Sequence, residues 1–209
     1  MKGETMEREM NEKTIEVCQS LIRTLESTYL AFRKSDEKSI KEAEEARKRF
    51  QRSSTDLTRS LIETGSSGDA ARERVKPYLS LASSFDRMGY NIDGILDRLK
   101  KKVQEQMLFT DRAVKEINDV FQETMNLLEN LPDLILTQNK LLAQQMGEKG
   151  KLILKMADQY SEGHEQRLIE GVCVPKSSPL YLDILFSLKG IVAQIIEISG
   201  KLVTLSAKA

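Results

Sequence analysis

The chain has 209 residues, of which 31% are charged and only 5% are aromatic, and it contains no Trp. A chain of this length can bury one large core or two small ones, and this composition is typical of long amphipathic helices and disfavours a β-sandwich or barrel. The 32 basic and 32 acidic side chains cancel, which excludes a strong overall field for attracting nucleic acid or an anionic membrane.

The first third of the chain has the apolar spacing of two helices. In the first helix the apolar residues recur at steps of three and four, which indicates one packed seam (Ile15, Cys18, Ile22, Leu25, Tyr29 and Phe32). A turn then ends at Ser35 or at Ser39, and Ser39 with Glu42 matches a capping box. The second seam comprises Ile40, Ala43, Phe50, Leu57 and Leu61. Arg47 and Ser54 interrupt this seam, so we expect a less apolar packed face.

A third helix is predicted to follow the loop "TGSSGDAARERVK" and to begin near Pro77, since proline is tolerated in a first turn. Its seam is Tyr78, Leu81, Phe85, Met88, Ile92, Ile95 and Leu99. The run Lys100–Lys102 follows this seam. If the helix ends nearby, these lysines complement its dipole; otherwise they form a solvated face.

The second half repeats this plan. The fourth helix has its seam at Ile117, Val120, Thr124, Leu127, Leu131 and Leu134, and Pro132 kinks or shortens it near its end. "TQNK" marks a turn, the fifth helix runs to about Glu170, "GVCVPKSS" is a second long loop, and the sixth helix runs from about Pro179 to Lys208. The sixth helix is the most apolar, but charged residues interrupt it, so we interpret it as a buried helix of a soluble protein and not as a membrane span.

The two long loops share an order of residues that indicates an internal duplication. Each has Arg, a Leu/Ile pair, Glu, a nearby Gly and a Pro-bearing loop, and Tyr-Leu then opens the next helix. Tyr78 and Tyr181 lie 103 residues apart, close to half the chain. The sequence therefore predicts an all-α fold of two tandem three-helix antiparallel bundles, residues 1–106 and 107–209, packed as one compact domain.

The chain offers few candidates for catalysis or metal binding. Cys18 and Cys173 fit no metal spacing, and with no export signal a reducing cytoplasm is expected. His164 is the only histidine, which argues against a diiron site built from two Glu-x-x-His motifs, and no nucleophile signature surrounds it. We interpret His164 as a structural histidine and Cys173 as an ordinary thiol.

Two further patterns in the sequence bear on ligand binding. Asp86, Asp93 and Asp97 form a stripe on the third helix that could hold a cation, but we favour a solvated polar edge, since a row of charges is commonly an exposed helix face. The stretch "GSSGDAARER" lacks the Gly-Lys-Ser/Thr ending of a phosphate-binding P-loop, and the basic residues are not interleaved with aromatic ones, so no nucleic-acid site is predicted.

The stretch "HEQRLIEGVCVPKSSPLYLDILFSLKGI" resembles the second repeat of PhoU-like proteins, the regulators of bacterial phosphate transport. The residues that carry the resemblance are His164, Arg167, Leu168, Gly171, Tyr181, Leu182 and Asp183. In the first repeat, "SSFDRMGYNIDGI" is similar to the family's Leu-Glu-Arg-Ile-Gly-Asp segment at Phe85 to Tyr90. The resemblance implies a six-helix fold and a non-enzymatic regulatory role at the cytoplasmic side of a phosphate transporter, which it couples to a sensor kinase.

The chain departs from the family at the residues that would bind metal. The family motif, Glu/Asp-x-x-x-Asp, occurs once per repeat. Here the first copy keeps Asp86 but has Tyr90 in place of the second carboxylate, and the second copy has Lys189 and Ala193. An ammonium group opposes cation binding. We therefore predict a divergent member with no metal, cofactor or catalytic residue, which acts through protein contacts.

Two other classes of function stay open from the sequence. A self-associating structural protein would carry its heptad seams into contacts between chains and form a homo-oligomer. A metal-dependent enzyme or store would need Asp93 and Asp97 to supply what the degenerate motifs lack. The leading hypothesis is a cytoplasmic accessory protein of phosphate transport, peripheral to the membrane at most, whose partner is a transporter, a sensor kinase or both.

Overall fold

A computed structural model describes the backbone of residues 2–206 and the side chains of residues 6–202. These residues form helices joined by short loops, with no β-strand among them. The helices are α1 (Lys2–Lys34), α2 (Glu37–Gly65), α3 (Asp69–Gln104), α4 (Asp111–Leu128), α5 (Leu131–Thr137), α6 (Lys140–Ile169) and α7 (Ser178–Ser206). The predicted all-α class is confirmed. The predicted end of the last helix, Lys208, lies outside the described residues.

The fourth predicted helix is divided into α4 and the short α5. Pro132 lies in the first turn of α5, where its missing N–H costs no helical hydrogen bond. The prediction that Pro132 shortens this helix is confirmed. The turn at "TQNK" is confirmed as well, because Gln138 ends α5 in a left-handed conformation and the Asn139 side chain caps α6 by accepting from Leu141 and Leu142.

One predicted helix start was wrong, and for another the structure decides between the two predicted alternatives. The turn before α2 ends next to Ser35 and not at Ser39. The cap of α2 is Asp36, whose side chain accepts from the backbone N–H of Ser39, so Ser39 lies inside the first turn instead of capping it. The start of α3 is Asp69 and not the neighbourhood of Pro77, which lies inside the helix. The segment before Pro77 is rich in Ala, Arg and Glu, and these good helix formers extend the helix through most of the predicted loop.

The predicted seams of α2, α3 and α4 are buried throughout. In α1, Cys18, Leu25 and Phe32 are buried, whereas Ile15, Ile22 and Tyr29 are partly exposed. The buried face of α1 is broader than one seam because this helix packs against α2, α3, α4 and α5. Thr14, Val17, Leu21, Thr24 and Thr28 therefore join the core of the chain.

The helices form two bundles joined through their last helices. One consists of α1, α2 and α3, the other of α4, α6 and α7, and α3 packs against α7 between them. Among the ion or hydrogen-bonded pairs that cross this joint are Arg98 with Asp183 and Lys201 with Ser80. Ser80 lies 103 residues before Asp183, and Arg98 lies 103 residues before Lys201. The two pairs are therefore equivalent under the predicted duplication, as expected of two repeats related by an approximate two-fold axis.

Helix α7 is the most apolar of the long helices that the structure describes and packs against helices of both bundles. It is the one described helix long and apolar enough to cross a membrane by length and composition. However, it packs against α3, α4 and α6, and half of its apolar window is buried inside the protein. Tyr181, Leu185, Leu188 and Ile191 are fully buried, so the apolar character of α7 is that of a core helix.

Candidate functional site

The carboxylate row of α3 lies beside α2, whose side chains already bind two of its three members. Asp86 Oδ1 accepts a hydrogen bond from Ser54 Oγ at 2.7 Å. Asp93 Oδ2 lies 2.8 Å from Nη2 of Arg47, a buried guanidinium group whose Nε also donates to the carbonyl of Gly89 at 3.1 Å. The two polar residues that interrupt the seam of α2 are therefore the partners of this row.

The remaining positions of the degenerate motifs belong to separate contacts. Asp97 lies 3.5 Å from Lys100, Lys189 pairs with Asp158 of α6, and the Tyr90 side chain is largely exposed. Within the part of the chain that the structure describes, no group of three or more His, Cys, Asp or Glu side chains is placed to hold a metal ion. A cation at this row would have to displace the protein's own hydrogen-bond donors.

The lysine run ends α3. Lys101 and Lys102 lie in the last turn, where their charges complement the negative end of the helix dipole. Lys100 pairs with Glu44 of α2, and Lys101 lies 4.0 Å from Glu105. Of the two alternatives that the sequence left open, the structure supports the helix-end interpretation.

His164 lies in a buried pocket of side chains at the end of α6. Its Nε2 is 2.7 Å from Ser178 Oγ, and its Nδ1 is 3.7 Å from Cys173 Sγ. Its ring stacks on that of Tyr181, with 4.2 Å between the ring centroids. The sequence did not indicate that His164 and Cys173 would meet, since nine residues and a helix end separate them.

Glu116 of α4 joins the same group of residues. Its Oε2 accepts from Tyr181 Oη at 2.5 Å and from Arg167 Nη2 at 2.7 Å, and its Oε1 accepts from Arg112 Nε at 3.0 Å. The Glu116 and Arg167 side chains are only 5% and 10% exposed. Arg167 Nε and Nη1 are buried without a hydrogen-bond partner. We call Glu116, His164, Arg167, Cys173, Ser178 and Tyr181 the α4–α6–α7 cluster.

The electrostatics of the cluster favour one ion pair among neutral neighbours. Burial lowers the pKa of His164, and the nearby positive charge of Arg167 lowers it further. Burial and the hydrogen bond to the Glu116 carboxylate raise the pKa of Tyr181. At neutral pH the imidazole and the phenol are therefore uncharged, and the charge of Arg167 is balanced by that of Glu116.

This arrangement is suited to holding a loop in place. Both ring nitrogens of His164 contact buried side chains of the protein, so neither faces a space that a substrate could enter. The backbone N–H groups of Val172 and Cys173 both donate to the carbonyl of Arg167. Gly171 has φ +72°, which a side chain would strain. The cluster fastens the α6–α7 loop to both of the helices it connects.

The first bundle has a simpler version of this contact. Tyr78, the counterpart of Tyr181, donates from its Oη to Asn11 Oδ1 at 2.9 Å. Asn11 lies 105 residues before Glu116, close to the 103-residue separation of the two tyrosines, so each tyrosine bonds to the first helix of its own bundle, α1 or α4. Glu116 was not among the site residues predicted from the sequence. The available signal was its spacing, because a charged residue three after Ala113 and four before Val120 falls on the buried face.

Two aromatic side chains are exposed on the helices that join the bundles. Tyr90 of α3 is 70% exposed, and Phe186 of α7 is 73% exposed. Each directly precedes a residue at the α3–α7 joint, Asn91 and Ser187 respectively, where glycines of the facing helix allow close approach. We infer from the equivalent pairs across the joint that the two helices are related by an approximate two-fold axis, which would place both aromatic groups on the same side of the joint. Ala193, the position equivalent to Tyr90, is exposed there too.

No family model matches the sequence of this chain, and no curated protein matches it significantly. By structure, the chain is similar to the phosphate transport system regulatory protein PhoU from Streptococcus pneumoniae. The TM-score is 0.85 at 15% identity, and the match covers 99% of this chain and 97% of that one. The chain has the PhoU fold. A putative PhoU-like phosphate regulatory protein from Shewanella oneidensis MR-1 matches with a TM-score of 0.62 at 13% identity, over 96% of this chain and 100% of that one.

The likeness to PhoU confirms the predicted fold, including the pairing of two helical bundles. Three residues of the motif that carries the resemblance, His164, Arg167 and Tyr181, meet in the α4–α6–α7 cluster of this chain.

Proposed function

We propose that this protein is a divergent PhoU-like regulator of phosphate transport, which acts in the cytoplasm by binding a phosphate transporter, a sensor kinase or both. The observation that carries the proposal is the likeness of nearly the whole chain to PhoU of Streptococcus pneumoniae. The contacts of both His164 ring nitrogens with Ser178 and Cys173 favour a structural role for this histidine. The two repeats, residues 1–106 and 107–209, would act together as one compact domain.

The exposed side of the α3–α7 joint is the proposed contact face. Exposed aromatic side chains such as Tyr90 and Phe186 are the residue types that most often anchor protein–protein interfaces. Charged groups surround them, including the half-exposed pair Arg98–Asp183, and such groups suit the polar rim of an interface. Membrane association would then be indirect, through the transporter.

The first experiment is affinity capture of the tagged protein from solubilised membranes of its own organism, grown in high and in low phosphate. A phosphate transporter or sensor kinase should be recovered with the wild-type protein. The Tyr90→Ala/Phe186→Ala double variant should lose that partner. Leu152→Ala is the matched control, because Leu152 of α6 is 67% exposed and lies away from the proposed face. Equal recovery with all three proteins would reject this face.

Self-association is the competing function, and the same variants test it. Cys18, Leu25 and Phe32 of the first seam are buried inside the chain, so these three side chains are not available for contacts between chains. If the protein is recovered alone in both growth conditions, and Tyr90→Ala/Phe186→Ala converts an oligomer into a monomer by light scattering, then the face serves self-association. Deletion of the gene should in that case leave phosphate uptake unchanged.

A further inference from the structure

A cleft of about 710 Å³ lies between the end of α1 and the start of α4. It is lined by Tyr29, Phe32, Arg33, Ser35, Lys102, Phe109, Asp111, Val114, Lys115, Asn118 and Gln122. Its volume is in the range of sites that bind small molecules. None of the residues assigned above to the α4–α6–α7 cluster or to the proposed contact face lines it.

The charge of the cleft is positive. Arg33, Lys102 and Lys115 face a single lining carboxylate, Asp111. Lys115 is balanced by Asp119, at 2.6 Å. Arg33 and Lys102, in contrast, have no carboxylate within ion-pair distance in the described part of the chain. With Asp111 and Asp119 set against these three cations, the cleft keeps a net charge of +1 (3 − 2), and two of its cations have no ion-pair partner. Such a concave site attracts an anion, since the walls of the cleft reduce solvent screening.

Lys102 is held in a position to bind an anion. Its Nζ donates to Ser35 Oγ at 2.8 Å and lies 5.4 Å from the centre of the Phe109 ring. The Ser35 hydroxyl is fixed in turn, because it donates to the carbonyl of Phe32 at 3.1 Å. An ammonium group has three donors, so two remain for a ligand after the bond to Ser35. Burial without a carboxylate lowers the pKa of Lys102, and an anion would offset that cost.

Neutral donors complete the lining. Asn118 Oδ1 accepts the hydrogen bond of Tyr29 Oη, which directs the Asn118 amide nitrogen away from that hydroxyl group as a donor. Gln122, one turn further along α4, adds a second amide to the lining. Arg33 lies over the Tyr29 ring at 5.9 Å, which places its planar guanidinium group at the same wall.

We propose that this cleft binds a small molecule through a doubly charged oxyanion, which Arg33 and Lys102 hold together. A guanidinium group recognises phosphoryl oxygens with two parallel hydrogen bonds, and an ammonium group adds a point charge. The chemistry fits either free orthophosphate or the phosphoryl group of a small phosphorylated compound. The proposal does not depend on the regulatory role above, because binding is a property of the purified chain.

The test is equilibrium dialysis of the purified full chain with radiolabelled orthophosphate, AMP or adenosine, at constant ionic strength set with sodium chloride. The wild-type protein should bind one molecule of orthophosphate or AMP per chain and no adenosine. Arg33→Gln and Lys102→Gln should each weaken binding about tenfold or more, as expected for loss of one charge-assisted contact. Lys102→Arg should retain binding.

Matched controls exist in the same helices. Arg23→Gln removes an exposed arginine of α1 outside the cleft, and Lys101→Gln removes the lysine next to Lys102. Both should bind as the wild type does. Far-UV circular dichroism checks that each variant folds, and Arg33→Gln keeps the test decisive if Lys102→Gln unfolds, because Arg33 is exposed.

Each outcome decides the proposal. Binding of orthophosphate that the two cleft variants lose would support a site for the free anion. Binding of AMP alone, lost in the same variants, would support a site for a phosphorylated compound. Equal binding of AMP and adenosine, retention of binding in Arg33→Gln, or no binding of either anion would overturn it.

Discussion

The buried pair of Glu116 and Arg167 leads to the sharpest prediction. Glu116→Gln keeps the size of the side chain but removes the carboxylate that pairs with the Arg167 guanidinium group, whose Nε and Nη1 already lack partners. The new amide NH₂ would also face donors, because Tyr181, Arg167 and Arg112 all donate to Glu116. The variant therefore leaves a buried cation uncompensated.

The expected loss is large for a single substitution. Removing one partner of a buried ion pair costs about 3–5 kcal/mol of unfolding free energy. For a chain of this size, each kcal/mol lowers the melting temperature by about 2–4 °C, so a fall of roughly 10 °C is expected. Glu123→Gln is the matched control: it is also on α4 and pairs with a lysine of α6, but both side chains are more than 40% exposed. It should cost about 1 kcal/mol or less.

The assay is urea unfolding followed by circular dichroism at neutral pH, since the chain has no Trp for fluorescence. The double variant Glu116→Gln/Arg167→Met should recover at least half of the loss, because it removes the stranded charge together with its partner. If Glu116→Gln costs no more than Glu123→Gln, the pair contributes nothing special, and our account of the α4–α6–α7 cluster is wrong.

Three further predictions follow from other features. His164 binds protons more weakly in the folded than in the unfolded chain, so the unfolding free energy should fall as pH drops below about 6.5. His164→Gln should reduce this pH dependence when the unfolding free energy is measured by urea titration at several pH values. An unchanged slope of unfolding free energy against pH would contradict this prediction. Gly150→Ala should destabilise the folded protein by about 1–3 kcal/mol because a Cβ there meets Ile196 Cγ1 at 2.6 Å. Gly147→Ala, one turn away and facing open space, should stabilise the folded protein by up to about 1 kcal/mol. If the melting temperatures of both variants change in the same direction, the packing argument is refuted. Since Arg47 occupies Asp93, manganese or zinc should not raise the melting temperature and EDTA should not lower it; stoichiometric metal in the purified protein would show a site that we have not recognised.

The sequence predicted the parts of the fold that depend on local periodicity. The seam of α3 and the break near Pro132 follow from side-chain spacing and from the missing proline N–H, and both are confirmed. The start of α3 was predicted wrongly because Gly65, Gly68 and Pro77 were given more weight than the helix formers between them. A proline inside a helix costs stability, but packing of the flanking residues Val75 and Tyr78 offsets that cost.

The candidate sites could be predicted less well, because they depend on contacts between distant parts of the chain. Arg47 stood out as an interruption of a seam, yet its partner Asp93 lies 46 residues further on. Glu116 and Arg167 are 51 residues apart, and nothing in their local sequence pairs them. The periodicity of a helix tells which face is buried, but the choice of neighbour depends on how the helices are arranged.

The equivalence of the two pairs across the α3–α7 joint bears on how such a chain evolves. A single repeat with this face would dimerise with a copy of itself, and any substitution would then appear on both sides of the axis at once. Fusion of the two copies removes that constraint. One half of this chain has a neutral tyrosine–asparagine contact at Tyr78, while the other has a buried ion pair and a histidine around Tyr181. Covalent linkage thus lets each half specialise, so a substitution that suits one bundle need not be tolerated at the equivalent position of the other.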